Sequence, residues 1–90
     1  MTPDGWLDRL ADELGERRLE PTEVGAILKV AREVAHGVER RLAPLTAYVL
    51  GLYVGRESTE GTPPREALEE ATRTVRSMIP PNGAEPDRPG

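Results

Sequence analysis

The side chains best equipped for chemistry in this sequence stand close together: Arg32, Glu33, His36, Glu39, Arg40 and Arg41. Arg32 and His36 are four positions apart, which on a helix places them on one face. Gly37 follows directly, and a turn there can fold Arg40 and Arg41 back toward that face. Three guanidinium groups and an imidazole can grip a phosphate or a partner's carboxylate, because the planar guanidinium fork matches both anions. The same residues also have a purely structural use. Arg32 and His36 complement the negative end of a helix dipole, and Arg40 can pair with Glu39 or Glu33.

Other chemistries lack their parts. His36 is the sole histidine and there is no cysteine, so no Ser-His-Asp set can be argued from spacing and a metal site lacks companion ligands. No glycine-rich phosphate loop of the GxGxxG or GxxxxGK[ST] kind occurs. The carboxylates are scattered over positions that read as polar helix faces, where solvated surface charge is their ordinary role. The reading is therefore of a chain with no catalytic residues, no metal and no cofactor.

Four helices must position the basic cluster. The first spans Pro3 to Leu14, with Thr2 as cap, Pro3 at the first position and Gly15 as stop. Trp6, Leu7, Leu10, Ala11 and Leu14 share its apolar face, and Trp6 reads as a core anchor. The second spans Pro21 to His36, with Gly37 just past its end. Val24, Ile27, Leu28, Ala31 and Val34 recur at helical spacing along it. The third runs from Pro44 to near Gly55 and is apolar nearly all round. It is too short for a bilayer, which needs about 20 residues, so it belongs at the centre of the domain or in a dimer seam. Ala47, Gly51 and Gly55 form a stripe of small side chains along it that lets another helix backbone approach. The fourth runs from Pro63 to Ile79, capped by Thr62 and ended by Pro80-Pro81, with Glu69 and Arg73 spaced to pair. Glu57 to Thr62 reads as a polar loop.

This organisation predicts an all-α, compact four-helix domain over 1–80 with a central apolar third helix, and a disordered tail over 81–90 that is rich in proline, glycine and charge. A core with Trp6, Tyr48 and Tyr53 as its only aromatics, and no Phe, must be aliphatic, which suits helix-on-helix packing. So short a chain buries only about 60–65% of its unfolded surface. With disulfides excluded, extra stability must come from tight packing or a partner chain, which raises the prospect of a homodimer. A net charge of −4 opposes binding to nucleic acid or an anionic membrane. A helix-turn-helix is set aside for the same reason, for the length of the Gly37 to Ala43 connection, and because the third helix offers base edges almost no polar side chain. The start of the chain is acidic and amphipathic, unlike a signal peptide, so a cytoplasmic location is expected.

The stretches Ala31-Arg32-Glu33-Val34-Ala35-His36-Gly37-Val38-Glu39-Arg40, Ala43-Pro44-Leu45-Thr46 and Leu50-Gly51-Leu52 resemble an actinobacterial family of small helical domains of uncharacterised function. Members of that family occur alone or fused to molybdenum-cofactor guanylyltransferases, the enzymes that attach GMP to molybdopterin. The resemblance covers Trp6 to Ile79. It departs at Arg41, where the family often has proline. No glycine-rich nucleotide loop is present, so guanylyltransferase activity does not carry over. What the resemblance implies is an association with molybdenum-cofactor assembly.

The expectation that follows is a non-catalytic accessory or protein-interaction domain. It would dock on a molybdenum-cofactor nucleotidyltransferase or a related protein, with Arg32, His36, Arg40 and Arg41 as polar contacts. The alternatives are a small anion-binding domain that uses the same cluster for a phosphate, nucleotide or pterin, and a structural homodimer through Ala47, Gly51 and Gly55.

Overall fold

Proline and glycine punctuate the chain where its helices begin and end. The structure, a computed structural model, describes residues 3–81 and comprises α1 (Pro3–Leu14), α2 (Pro21–Gly37), α3 (Leu42–Thr59) and α4 (Pro64–Met78), with no strand among the described residues. The Thr2 cap and all of the expected tail except Pro81 lie outside the described residues. The domain is all-α, as the spacing of apolar residues predicts.

α1 ends where expected: Gly15 takes φ 74°, a left-handed conformation that only glycine adopts without strain. α2 begins at Pro21 and runs through Gly37, which is its last helical residue rather than the residue beyond it. α3 differs most from expectation. It starts at Leu42, with Pro44 in its third position. The first-turn N–H groups of a helix have no intrahelical partner, so a proline fits there as well as at the first position. It also continues through Gly55 to Thr59. The actual stop is Gly61, at φ 106°. The first half of the loop expected over Glu57 to Thr62 is therefore helix. α4 has Pro63 as its cap and Pro64 at the first position. Thr62 does not cap it; its hydroxyl donates to Glu57 Oε1 at 3.2 Å.

α2, α3 and α4 pack against one another in all three pairings, so α3 lies between two neighbours. Their shared core is aliphatic: Val30 of α2, Leu50 of α3 and Ala71 of α4 meet at its centre, with Tyr53 and Val75 against them. Glu33 of α2 accepts from Arg76 Nε of α4 at 2.7 Å. The Tyr53 hydroxyl of α3 donates to Glu70 Oε1 of α4 at 3.0 Å, and this bond raises the tyrosine's pKa.

α3 does not become the most buried helix. Leu50 is its one fully buried residue, and Leu45, Tyr48, Val49 and Leu52 are 56–69% exposed. With only α2 and α4 to cover it, a helix that is apolar all round keeps an uncovered side.

α1 stands at the margin. Among the described residues none of its Cα atoms comes within 8 Å of another helix. It is held through the following link, where Arg18 donates to both Asp12 carboxylate oxygens at 3.1 and 2.6 Å and lies 3.8 Å from Asp8. Trp6 is 55% exposed. It is not the core anchor its spacing predicts: among the described residues no other helix packs closely on α1, and only Leu7 and Ala11 of its apolar face are half-buried.

Candidate functional site

The basic cluster begins in the last turns of α2. Arg32 and His36 share a face there and both are exposed. α2 closes with Val38 and Glu39 both donating backbone N–H groups to Val34 O, at 2.9 and 3.0 Å. Leu42 then donates to Glu39 O and Ala43 to Arg40 O, both at 3.1 Å, which tightens the chain into α3. The connection is therefore only residues 38–41. That is shorter than expected and within helix-turn-helix range, so loop length no longer argues against such a motif. The apolar outer side of α3 and the net acidic charge still do.

Arg32, His36, Arg40 and Arg41 are all exposed to solvent. Arg41 Nε pairs with Glu39 Oε2 at 3.0 Å. Glu33, a possible partner for Arg40, is engaged by Arg76 instead. Arg32, His36 and Arg40 make no hydrogen bond or ion pair with other described residues. The larger clefts are lined by other side chains, so the cluster is an exposed rim and not a pocket.

Beside this rim lies an open apolar cleft of about 540 Å³ between the C-terminal ends of α2 and α4 and the N-terminal half of α3. Val38, Leu42, Val49, Val75, Met78 and Ile79 line it. Val38 and Leu42 bracket Glu39, Arg40 and Arg41, so the basic turn forms one edge of the cleft. Met78 is 75% exposed at the opposite edge. Sequence reasoning did not foresee this cleft. Its signal was present in the apolar spacing of Leu42, Leu45 and Val49, which line it beside the buried Leu50.

The small-residue stripe has a different setting. Ala47, Gly51 and Gly55 border a second groove, opposite Arg17, Leu19 and Ile27. A Cβ placed on Gly51 or Gly55 would meet nothing within 4 Å. No described helix approaches the stripe closely at Gly51 or Gly55.

Glu23 also went unforeseen. It is 5% exposed, and both its oxygens accept from the Arg17 guanidinium, at 2.8 and 2.6 Å. The Glu20 N–H donates to it at 2.8 Å. The hydrogen bonds from Arg17 hold its carboxyl below the ordinary range, against the opposing effect of burial. An acidic residue three positions into a proline-led helix was the available clue. The group clamps the link after α1 onto α2, and its acceptor capacity is committed to that task.

Among the described residues no three His, Cys, Asp or Glu side chains converge as metal ligands. No described helix is long and apolar enough to cross a membrane.

A family model described as a domain of unknown function, DUF6457, matches residues 2–87. The chain belongs to this family. Searches of curated proteins and of solved structures give no match. The DUF6457 match takes in every described element, from α1 to the end of α4, so the basic turn and the apolar cleft both lie within the family domain.

Proposed function

We propose that this DUF6457 domain is a non-catalytic protein-interaction module. The observation that carries this reading is the juxtaposition of an open apolar cleft with a basic rim whose Arg32, His36 and Arg40 have no partner among the described residues. Protein interfaces commonly combine an apolar centre with a polar edge, and arginine is enriched in them. Val38, Leu42 and Met78 supply the apolar part, and the turn supplies cations for a partner's carboxylates.

The resemblance to domains fused to molybdenum-cofactor guanylyltransferases points to the partner: a nucleotidyltransferase of that class, or a protein that receives its product. A domain that recurs on such enzymes as a fusion can serve the same enzymes as a separate chain. The test is binding of the purified full chain to a purified molybdenum-cofactor guanylyltransferase by surface plasmon resonance. Replacing His36 and Arg40 together by alanine should lower affinity at least tenfold with helical content unchanged. Unaltered affinity in that variant contradicts the assignment.

The small-anion reading uses the same cations. It is favoured by their lack of partners and disfavoured by their open position, which provides no enclosure for a ligand. Calorimetry with GMP, GTP and pyrophosphate separates it from the first, since heat with any of these would move the cluster from protein docking to ligand binding.

A further inference from the structure

We infer that the segment a partner protein lays in the open apolar cleft is an amphipathic α-helix of about three turns, with a carboxylate that meets Arg40. This rests on the docking reading above and specifies what docks. The polar side chains of the cleft decide the form of its occupant. Apart from Thr46, the lining hydroxyls are already committed: Tyr53 donates to Glu70 Oε1 at 3.0 Å, and Thr74 Oγ1 donates to Glu70 O at 3.2 Å. Every other lining side chain is apolar, Val38, Leu42, Val49, Val75 and Met78 among them.

An extended segment laid here would bury backbone N–H and C=O groups with almost nothing to bond them. Pairing with a strand edge, the usual remedy, is closed to it, because no strand occurs among the described residues. A helix satisfies its backbone internally and needs to offer the cleft only apolar side chains. The length agrees. Along α3 the lining runs from Leu42 to Tyr53, about 16 Å at the helical rise, which matches three turns of a bound helix.

Charge distinguishes the two ends of the cleft. At the Tyr53 end the charges are balanced within the chain: Glu70 accepts from the Tyr53 hydroxyl, and the Arg56 guanidinium lies 5.5 Å from the centre of the Tyr53 ring. At the other end the turn between Val38 and Leu42 carries Arg41, paired with Glu39 at 3.0 Å, and Arg40, which is exposed and has no partner among the described residues. The uncompensated cation therefore stands at one end, and a carboxylate on the bound helix is its complement.

The test uses the full chain and three labelled synthetic peptides of about 12 residues with leucines at i, i+3 and i+7 spacing. One ends in two aspartates, one ends in two lysines, and one keeps the aspartates but has a central proline that breaks the helix. Fluorescence anisotropy should show the first bound at least tenfold more tightly than either of the others. Val49→Glu should abolish that binding and Arg40→Glu should reverse the preference for the acidic end, both with helical content unchanged. Equal binding of the proline peptide overturns the inference, as does an acidic preference that survives Arg40→Glu, or binding of none of the three. A wild-type dimer that Val49→Glu dissociates would give the cleft to a second copy and overturn it too. Peptide binding by a chain that does not bind the guanylyltransferase would leave the helix site standing and remove that enzyme as its partner.

Discussion

At the residue scale, the informative group is Glu23, a carboxylate sealed beneath the link between α1 and α2. Its charge is sustained by the bidentate hold of Arg17 and by the Glu20 N–H. Arg17→Ala leaves that charge buried with only the backbone donor, which should cost about 1–3 kcal/mol. For a domain of this size the melting midpoint falls by roughly 4–8 °C per kcal/mol. The pH dependence has a definite sign. Folding lowers the Glu23 pKa below its ordinary value of 4.5, so its contribution is complete above that value and is lost as pH falls through the lower folded value. Thermal melts of the wild type should weaken below about pH 4.5, and Arg17→Ala should flatten that dependence. An unchanged acid limb in the variant would mean that other carboxylates set it. The position of Glu23 in the first turn of α2 was legible in the sequence, but its burial under Arg17 was not, because charged residues are read as solvated unless something marks them as buried. The basic cluster was legible as a cluster. The engagement of Glu33 by Arg76, 43 positions away, was not, since it depends on how α4 returns alongside α2.

At the scale of elements, the starts and stops show which local signals are reliable. Pro3, Gly15 and Pro21 mark boundaries as expected because each acts through its own backbone. Gly55 misleads because a glycine stops a helix only where the chain turns left-handed, and here that occurs at Gly61. The two kinds of glycine should respond oppositely to alanine. Gly51→Ala adds a methyl into open space in a helix interior and should stabilise by about 0.5–1 kcal/mol. Gly15→Ala forces a side chain into the left-handed region and should destabilise by about 1 kcal/mol. Chemical denaturation of both variants checks the pair, and a gain at both positions would contradict the role given to Gly15. α3 shows the limit of periodicity. Its apolar character was plain from the sequence, but an all-round apolar helix says only that it needs cover. It does not say whether its own chain provides that cover. Leu50→Ala should cost about 2–5 kcal/mol, because that side alone faces the core.

At the scale of the whole molecule, α2, α3 and α4 form the packed unit and α1 is an attachment at its margin. α1 is retained by Arg18 through exposed ion pairs with Asp8 and Asp12, which salt screens. Hydrogen exchange should therefore find α1 amides far less protected than those around Val30 and Ala71, and adding 1 M salt should widen the difference. Equal protection in all four helices would show that α1 is more firmly seated than its contacts indicate. The apolar spacing of Trp6, Leu10 and Leu14 was legible in the sequence, but among the described residues these three side chains stay exposed.

α3 has two apolar sides, one packed on the core and one that the described residues leave uncovered, and Val49 lines the open cleft beside the basic turn. Surface plasmon resonance of Val49→Glu and of the wild type against a molybdenum-cofactor guanylyltransferase, with helical content followed by circular dichroism, shows whether a partner protein fills that cleft. Binding by the wild type and at least tenfold weaker binding by a variant of undiminished helicity is the expected result. Equal affinity in a folded variant would contradict the docking role of the cleft.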